Sequence, residues 1–159
     1  MFRMVEEFSG DLFNKENRRN LKNTDKGIYN CGGYALGTFS WYCPHNEEDE
    51  EWGYFDYGFD DKFEAYEKTM YCVAKMILDF EGRLRMVASL DKVHSDERAI
   101  AFRLSCDGDF HYVKKMGNGH WYHKRGACRW IDRMTEEEVF ETDWCDRYDG
   151  PIVLLAVKK

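Results

Sequence analysis

The chain has 159 residues and a mass of 19.0 kDa, enough for one domain with a continuous apolar core and no need of staples. Apolar residues make up 43% and aromatics 16%, with only two prolines, which excludes a disordered or low-complexity chain. A formal charge of −7 excludes a general attraction for nucleic acid or anionic membrane. The opening residues, Met1-Phe2-Arg3-Met4-Val5-Glu6-Glu7, lack the apolar stretch of a signal peptide, and no segment reaches membrane-span length, so a cytoplasmic protein is expected. Six cysteines, at 31, 43, 72, 106, 128 and 145, are then expected to be free thiols. There is no Cys-x-x-Cys pair, and Cys43 with His45 is the only close cysteine and histidine, so no metal is expected.

In chain order, residues 1–27 are polar and read as an N-terminal extension with room for a short helix. Asn30-Cys31-Gly32-Gly33-Tyr34-Ala35-Leu36 predicts a helix capped by Asn30. Its glycines weaken an isolated helix but permit close packing against another backbone. Residues 43–60 read as a loop insertion, with the acidic run Asn46-Glu47-Glu48-Asp49-Glu50-Glu51 followed by Trp52, Tyr54, Phe55, Tyr57 and Phe59. From a cap at Asp60 or Asp61 to a stop at Gly82, Phe63, Tyr66, Met70, Val73, Ile77 and Phe80 recur at helical spacing. The period then changes. Ile100, Phe102 and Leu104 alternate as in a strand, and two strands follow at 109–116 and 120–125 around Gly117-Asn118-Gly119. Thr135 and Glu138 have capping-box spacing for a short helix, and Gly150-Pro151 precede a last strand at 152–157.

The residues able to carry chemistry are Cys31 and a set of histidines. A thiolate nucleophile is favoured at a helix start, where unpaired amides and the helix dipole stabilise negative charge, and Cys31 stands there. Its own N–H can donate to an oxyanion, and Gly32 and Asn30 are candidates to line a substrate pocket. For the hairpin, a three-residue Gly117-Asn118-Gly119 loop places Val113 opposite His123 and makes His111 and His123 diagonal neighbours on one face, roughly 7 Å apart at the backbone. A two-residue turn at Asn118-Gly119 instead sends His123 to the other face. In the first register His111 is a base and His123 the group that fixes its ring. Asp109 is a second candidate to orient His111. Trp121 shares the His123 face and either walls a pocket or packs in the core. His45, His94 and His120 read as ordinary surface or half-buried histidines.

The order Cys31, His111, His123, with a Gly-Asn-Gly turn between the histidines, resembles the NlpC-type cysteine peptidases, a branch of the papain-like fold. The pairing of Asp109-Phe110-His111-Tyr112 with Trp121-Tyr122-His123-Lys124 also resembles a pattern in uncharacterised bacterial and phage papain-like proteins. The resemblance implies an α+β fold in one domain over 1–159, with a nucleophile helix and a second helix packed on an antiparallel sheet. It implies Cys31 as nucleophile, His111 as base and His123 as orienting residue. Asn30-Cys31-Gly32-Gly33 departs from that family's usual acidic residue before the cysteine and serine after it.

Together these features predict a thiol hydrolase or acyl transferase that acts on an amide or thioester of a peptide or protein, without a cofactor. A second reading is a catalytically inactive papain-like scaffold that acts as a binding or inhibitory protein, for example a phage-encoded blocker of a host enzyme. Its acidic run, Glu47 to Glu51 within 43–60, would then face a basic partner surface.

Overall fold

The computed structural model describes residues 29–38, 40–45, 56–125 and 131–159. The N-terminal extension, the acidic run and Cys128 lie outside them; Cys31, Cys43, Cys72, Cys106 and Cys145 are free thiols. The elements are α1 (Cys31–Leu36), α2 (Lys62–Asp79), β1 (Leu84–Val87), one 3-10 turn (Leu90–Lys92), β2 (Glu97–Ser105), β3 (Asp109–Lys115), β4 (Trp121–Lys124), β5 (Ile131–Met134), α3 (Glu136–Val139) and β6 (Val153–Lys158). Among the described residues, no helix is long and apolar enough to cross a membrane.

Helix α1 is too short to persist alone, and its surroundings hold it. Asn30 caps it by accepting from the Gly33 N–H at 3.0 Å, and Gly37 ends it in the left-handed region at φ 74°. The same Asn30 amide grips Tyr42, accepting from its N–H at 3.1 Å and donating to its carbonyl at 2.7 Å. Residues 40–42 thereby cross directly over the helix. A Cβ on Gly33 would stand 1.8 Å from the Ser40 carbonyl oxygen, so only glycine admits the crossing.

Asp61 caps α2 by accepting from the Glu64 N–H at 2.8 Å. The buried side of this helix is Ala65, Thr69, Cys72, Val73 and Met76, whereas Phe63 and Tyr66 of the expected stripe are exposed. Small residues at 65, 69 and 72 suit close approach to the sheet, and this rotates the buried face away from the larger aromatics.

All six strands pair antiparallel in the order β1-β6-β2-β3-β4-β5, giving an α+β fold. Strand β2 is central, and alternation along it feeds both faces. Ile100, Phe102 and Leu104 join Leu155, Val157, Phe110 and Tyr112 under α1 and α2. Ala99 and Ala101 join Val113, Trp121, Met134, Val139, Trp144 and Tyr148 on the other face. There α3, with its Thr135 and Glu138 capping box formed, and the residues that follow it cover the sheet. Arg103 fastens this cover, donating from Nε to the Gly150 carbonyl at 2.7 Å and from Nη1 to the Glu141 carbonyl at 2.8 Å.

Candidate functional site

The loop between β3 and β4 decides where the histidines meet. Met116 N–H donates to the His120 carbonyl and Gly119 N–H to the Met116 carbonyl, each at 2.9 Å, with Gly119 left-handed at φ 83°. This is the three-residue loop, and Lys114 pairs with Tyr122 and Lys115 with Trp121 as it requires. His111 and His123 therefore share a face, and Nε2 of His111 lies 2.7 Å from Nδ1 of His123 with the rings at 88°. Both are almost wholly buried.

Cys31 reaches the same strand from the helix side. Pairing of β3 with β4 ends at Lys114 and Tyr122, and the backbone N–H of Tyr112, the residue after His111, is directed at the Cys31 sulfur. Among the described residues no hydrogen bond joins that sulfur to either histidine. Among the described residues the hydrogen bond of the His111 ring is the one from Nε2 to His123.

Tyr148 closes over this arrangement. Its ring stacks on His111 with centroids 4.9 Å apart and planes 24° apart, and Trp144 meets the same imidazole edge-on at 6.2 Å. The turn that delivers both aromatics holds Cys145 and Asp146 in the left-handed region, φ 56° and 55°, an arrangement that favours glycine and is sustained by the surrounding contacts. Asp109 anchors Tyr148 by accepting from its hydroxyl at 3.0 Å, and Arg147 adds an ion pair to Asp109 at 3.1 Å. Asp109 thus touches the ring that stacks on His111, and among the described residues it makes no hydrogen bond to the imidazole itself.

The electrostatics of this dry site favour neutral forms. Burial pushes the Cys31 thiol up to about 12, aided by the Asp109 charge and opposed by the Tyr112 and Gly32 amides and by Lys124. Burial drives His111 well below the usual imidazole range, with the charges of His123, Arg125 and Arg147 acting in the same direction. His123 is held down at about 4, again chiefly by burial, while the Asp132 carboxylate opposes the shift. At neutral pH both side chains are therefore neutral, Cys31 a thiol and His111 an imidazole, and a proton transfer between such groups would create two charges inside the protein.

The other expected site residues have structural employment. Asn30 is buried and spends its amide on Gly33 and Tyr42. Gly32 is covered by the Tyr42 carbonyl and the Tyr112 ring, where an added Cβ would come within 3.1 Å of each. Trp121 is fully buried, donates from Nε1 to Glu136 at 3.2 Å and packs with the core residues of its face. His94 and His120 are exposed, and His45 is half-buried with Nδ1 against the Tyr57 hydroxyl. Among the described residues one group of possible metal ligands, His94, Asp96 and Glu97, stands at the start of β2, and Arg85 already clamps the Glu97 carboxylate with bonds of 3.0 and 2.8 Å. Tyr148, Trp144 and Asp132 are absent from the sequence expectation. The first two lie beyond the last recognisable helix, and the third is on a strand too short to show a period.

No family model matches the chain, and no curated protein or solved structure matches it either.

Proposed function

We propose that the chain is a papain-like domain of the NlpC type and a cysteine-dependent hydrolase or acyl transferase, with Cys31, His111 and His123 as its working residues. The observation that carries the reading is the buried 2.7 Å bond between His111 Nε2 and His123 Nδ1 on the strand whose next amide meets the Cys31 sulfur. An imidazole with Nε2 engaged and Nδ1 available is arranged as a general base.

In this reading a substrate amide or thioester carbonyl docks beside Cys31 after Tyr148 moves aside. The Cys31 sulfur forms a bond to the carbonyl carbon while its proton passes to Nδ1 of His111. Collapse of the tetrahedral adduct breaks the carbon–nitrogen or carbon–sulfur bond, and the leaving group takes the proton from His111. Water or another acceptor then attacks the acyl carbon and gives a proton to His111; the carbon–sulfur bond to Cys31 breaks, and the proton passes from His111 to the sulfur to restore the thiol. The substrate is a peptide or protein amide, or an acyl thioester, and the chemistry requires no cofactor.

The test is acylation by a small activated thioester, with the adduct located by peptide mass spectrometry. The expected result is an adduct at Cys31, formed 10²- to 10⁴-fold more slowly, order of magnitude, in His111→Ala. Adducts confined to the exposed Cys106 and Cys145 would reject the reading.

One observation favours the second reading, an inactive acidic scaffold that binds and inhibits a partner: Cys31 is only 4% exposed and its thiol is shifted away from ionisation. An inhibitor of this kind keeps its partner in Cys31→Ala and loses it when Glu47, Glu48, Asp49, Glu50 and Glu51 are neutralised. An enzyme shows the reverse on a small substrate.

A further inference from the structure

We infer that Asp132 is a positioning residue which, from the strand beyond, holds His123 in the one tautomer that leaves His111 able to act as a base. The inference rests on the catalytic reading above. Strand β4 lies between β3 and β5. His123 therefore meets His111 on one side, and on the other it stands directly opposite Asp132 in the β4–β5 register. Residues so paired project to the same face with their Cβ atoms about 4.5–5.5 Å apart.

The need for such a residue follows from proton bookkeeping along the histidine pair. For His111 to accept a proton at Nδ1, its Nε2 must carry hydrogen and donate it to His123. Nδ1 of His123 must then be bare, and its proton must sit on Nε2. In the other tautomer His123 donates from Nδ1 to His111, which forces the His111 proton onto Nδ1 and removes the base. The 2.7 Å bond is compatible with either state, so something outside it must choose.

A carboxylate on the side away from His111 makes the choice, because it favours the tautomer whose N–H dipole points away from His111. The Asp132 carboxylate acts on His123 as a charge across the strand pair. His123 is 1% exposed and the Asp132 side chain 16%, which leaves little water to screen it. Arg125 pairs with Asp132 at 3.4 Å and fixes the carboxylate. The groups facing His123 are then His111 from β3, Asp132 from β5, Arg125 after β4 and Glu138 from α3. Burial outweighs all of them in keeping the ring neutral, so at neutral pH the Asp132 charge selects a tautomer instead of a protonation state.

The experiment uses the full chain with 15N-labelled histidine at pH 7, comparing the native protein with Asp132→Asn and Asp132→Glu. Native His123 is expected to show a protonated Nε2 and a bare Nδ1. Asp132→Asn should give a mixture of tautomers and about a tenfold or greater fall in Cys31 acylation rate, with Asp132→Glu restoring both. A purely Nε2-protonated His123 in Asp132→Asn would overturn the inference, whatever happens to the rate. Should the Asn variant fail to fold, the native protein decides alone: a His123 that carries its proton on Nδ1 at pH 7, or a mixture of the two tautomers, would overturn the inference. Native protein with no His111-dependent acylation rejects the catalytic reading instead, and the tautomer spectrum still decides the role of Asp132.

Discussion

The two faces of the sheet are built from the same strands and do different work. Under α1 and α2, β2 and β3 present Phe102, Leu104, Phe110 and Tyr112 to a nearly all-apolar cluster, and Cys31 is part of it. On the other face the intervening residues of those strands are Arg103, Asp109 and His111, buried or half-buried among Trp144 and Tyr148. Strand alternation thus turns Tyr112 to the helix face and His111 to the other, one residue apart on a single segment of β3. The helix face tolerates loss of volume poorly, whereas the histidine face depends on keeping each buried polar group satisfied.

That contrast can be broken from either side. The largest effect is expected from Gly33→Ala, because the new methyl would collide with the Ser40 backbone; destabilisation of more than about 3 kcal/mol, read by thermal or urea unfolding, is the expected outcome. Next is Arg103→Met on the other face, which leaves the carbonyls of Glu141, Thr142 and Gly150 without their donor. A loss of about 2–3 kcal/mol and a red-shifted Trp144 fluorescence are predicted, whereas Arg103→Lys should recover part of the stability.

Acid should act on the histidine face. His123 has a folded-state pKa near 4 against an ordinary value near 6.5, so the unfolded chain binds the extra proton first. The His123 contribution to stability is full above pH 6.5 and is lost as the pH falls toward 4, by up to about 1.4 kcal/mol per pH unit for this one group. Urea titrations across that window should show the slope, and His123→Gln should flatten it. The smallest effect is expected from Tyr148→Phe, which keeps the ring on His111 and removes the hydroxyl with its bonds to Asp109 and Arg147, at about 1 kcal/mol. Faster acylation of Cys31 in that variant would mark Tyr148 as the cover of the site.

The histidine pair was legible because one local feature determines it. A glycine three residues beyond Met116 can take the left-handed conformation, and the loop length then sets which residues share a face. Caps were legible for the same local reason: Asn30, Asp61 and Thr135 each accept the amide that their spacing indicates. Strands β1 and β5 were not, since four residues carry too little alternation to stand out without a loop signal such as the Gly117-Asn118-Gly119 that marks the equally short β4. The buried face of α2 was misjudged because Phe63 and Tyr66 outweigh Ala65 and Thr69 in hydrophobicity, although the small residues fit against the sheet. The closure of Gly32 and Gly33 by residues 40–42, and the stacking of Tyr148 on His111, join distant parts of the chain through no periodic signal.

The central claim is that His111 takes the proton from Cys31, and the pH dependence of single-turnover acylation tests it most directly. In the native protein the rate should rise from acid and level off once His111 is neutral, below the ordinary imidazole range and far below the Cys31 thiol near 12. His111→Ala should abolish that plateau and leave a rate that climbs only with ionisation of the thiol. Identical profiles for the two proteins would contradict the account.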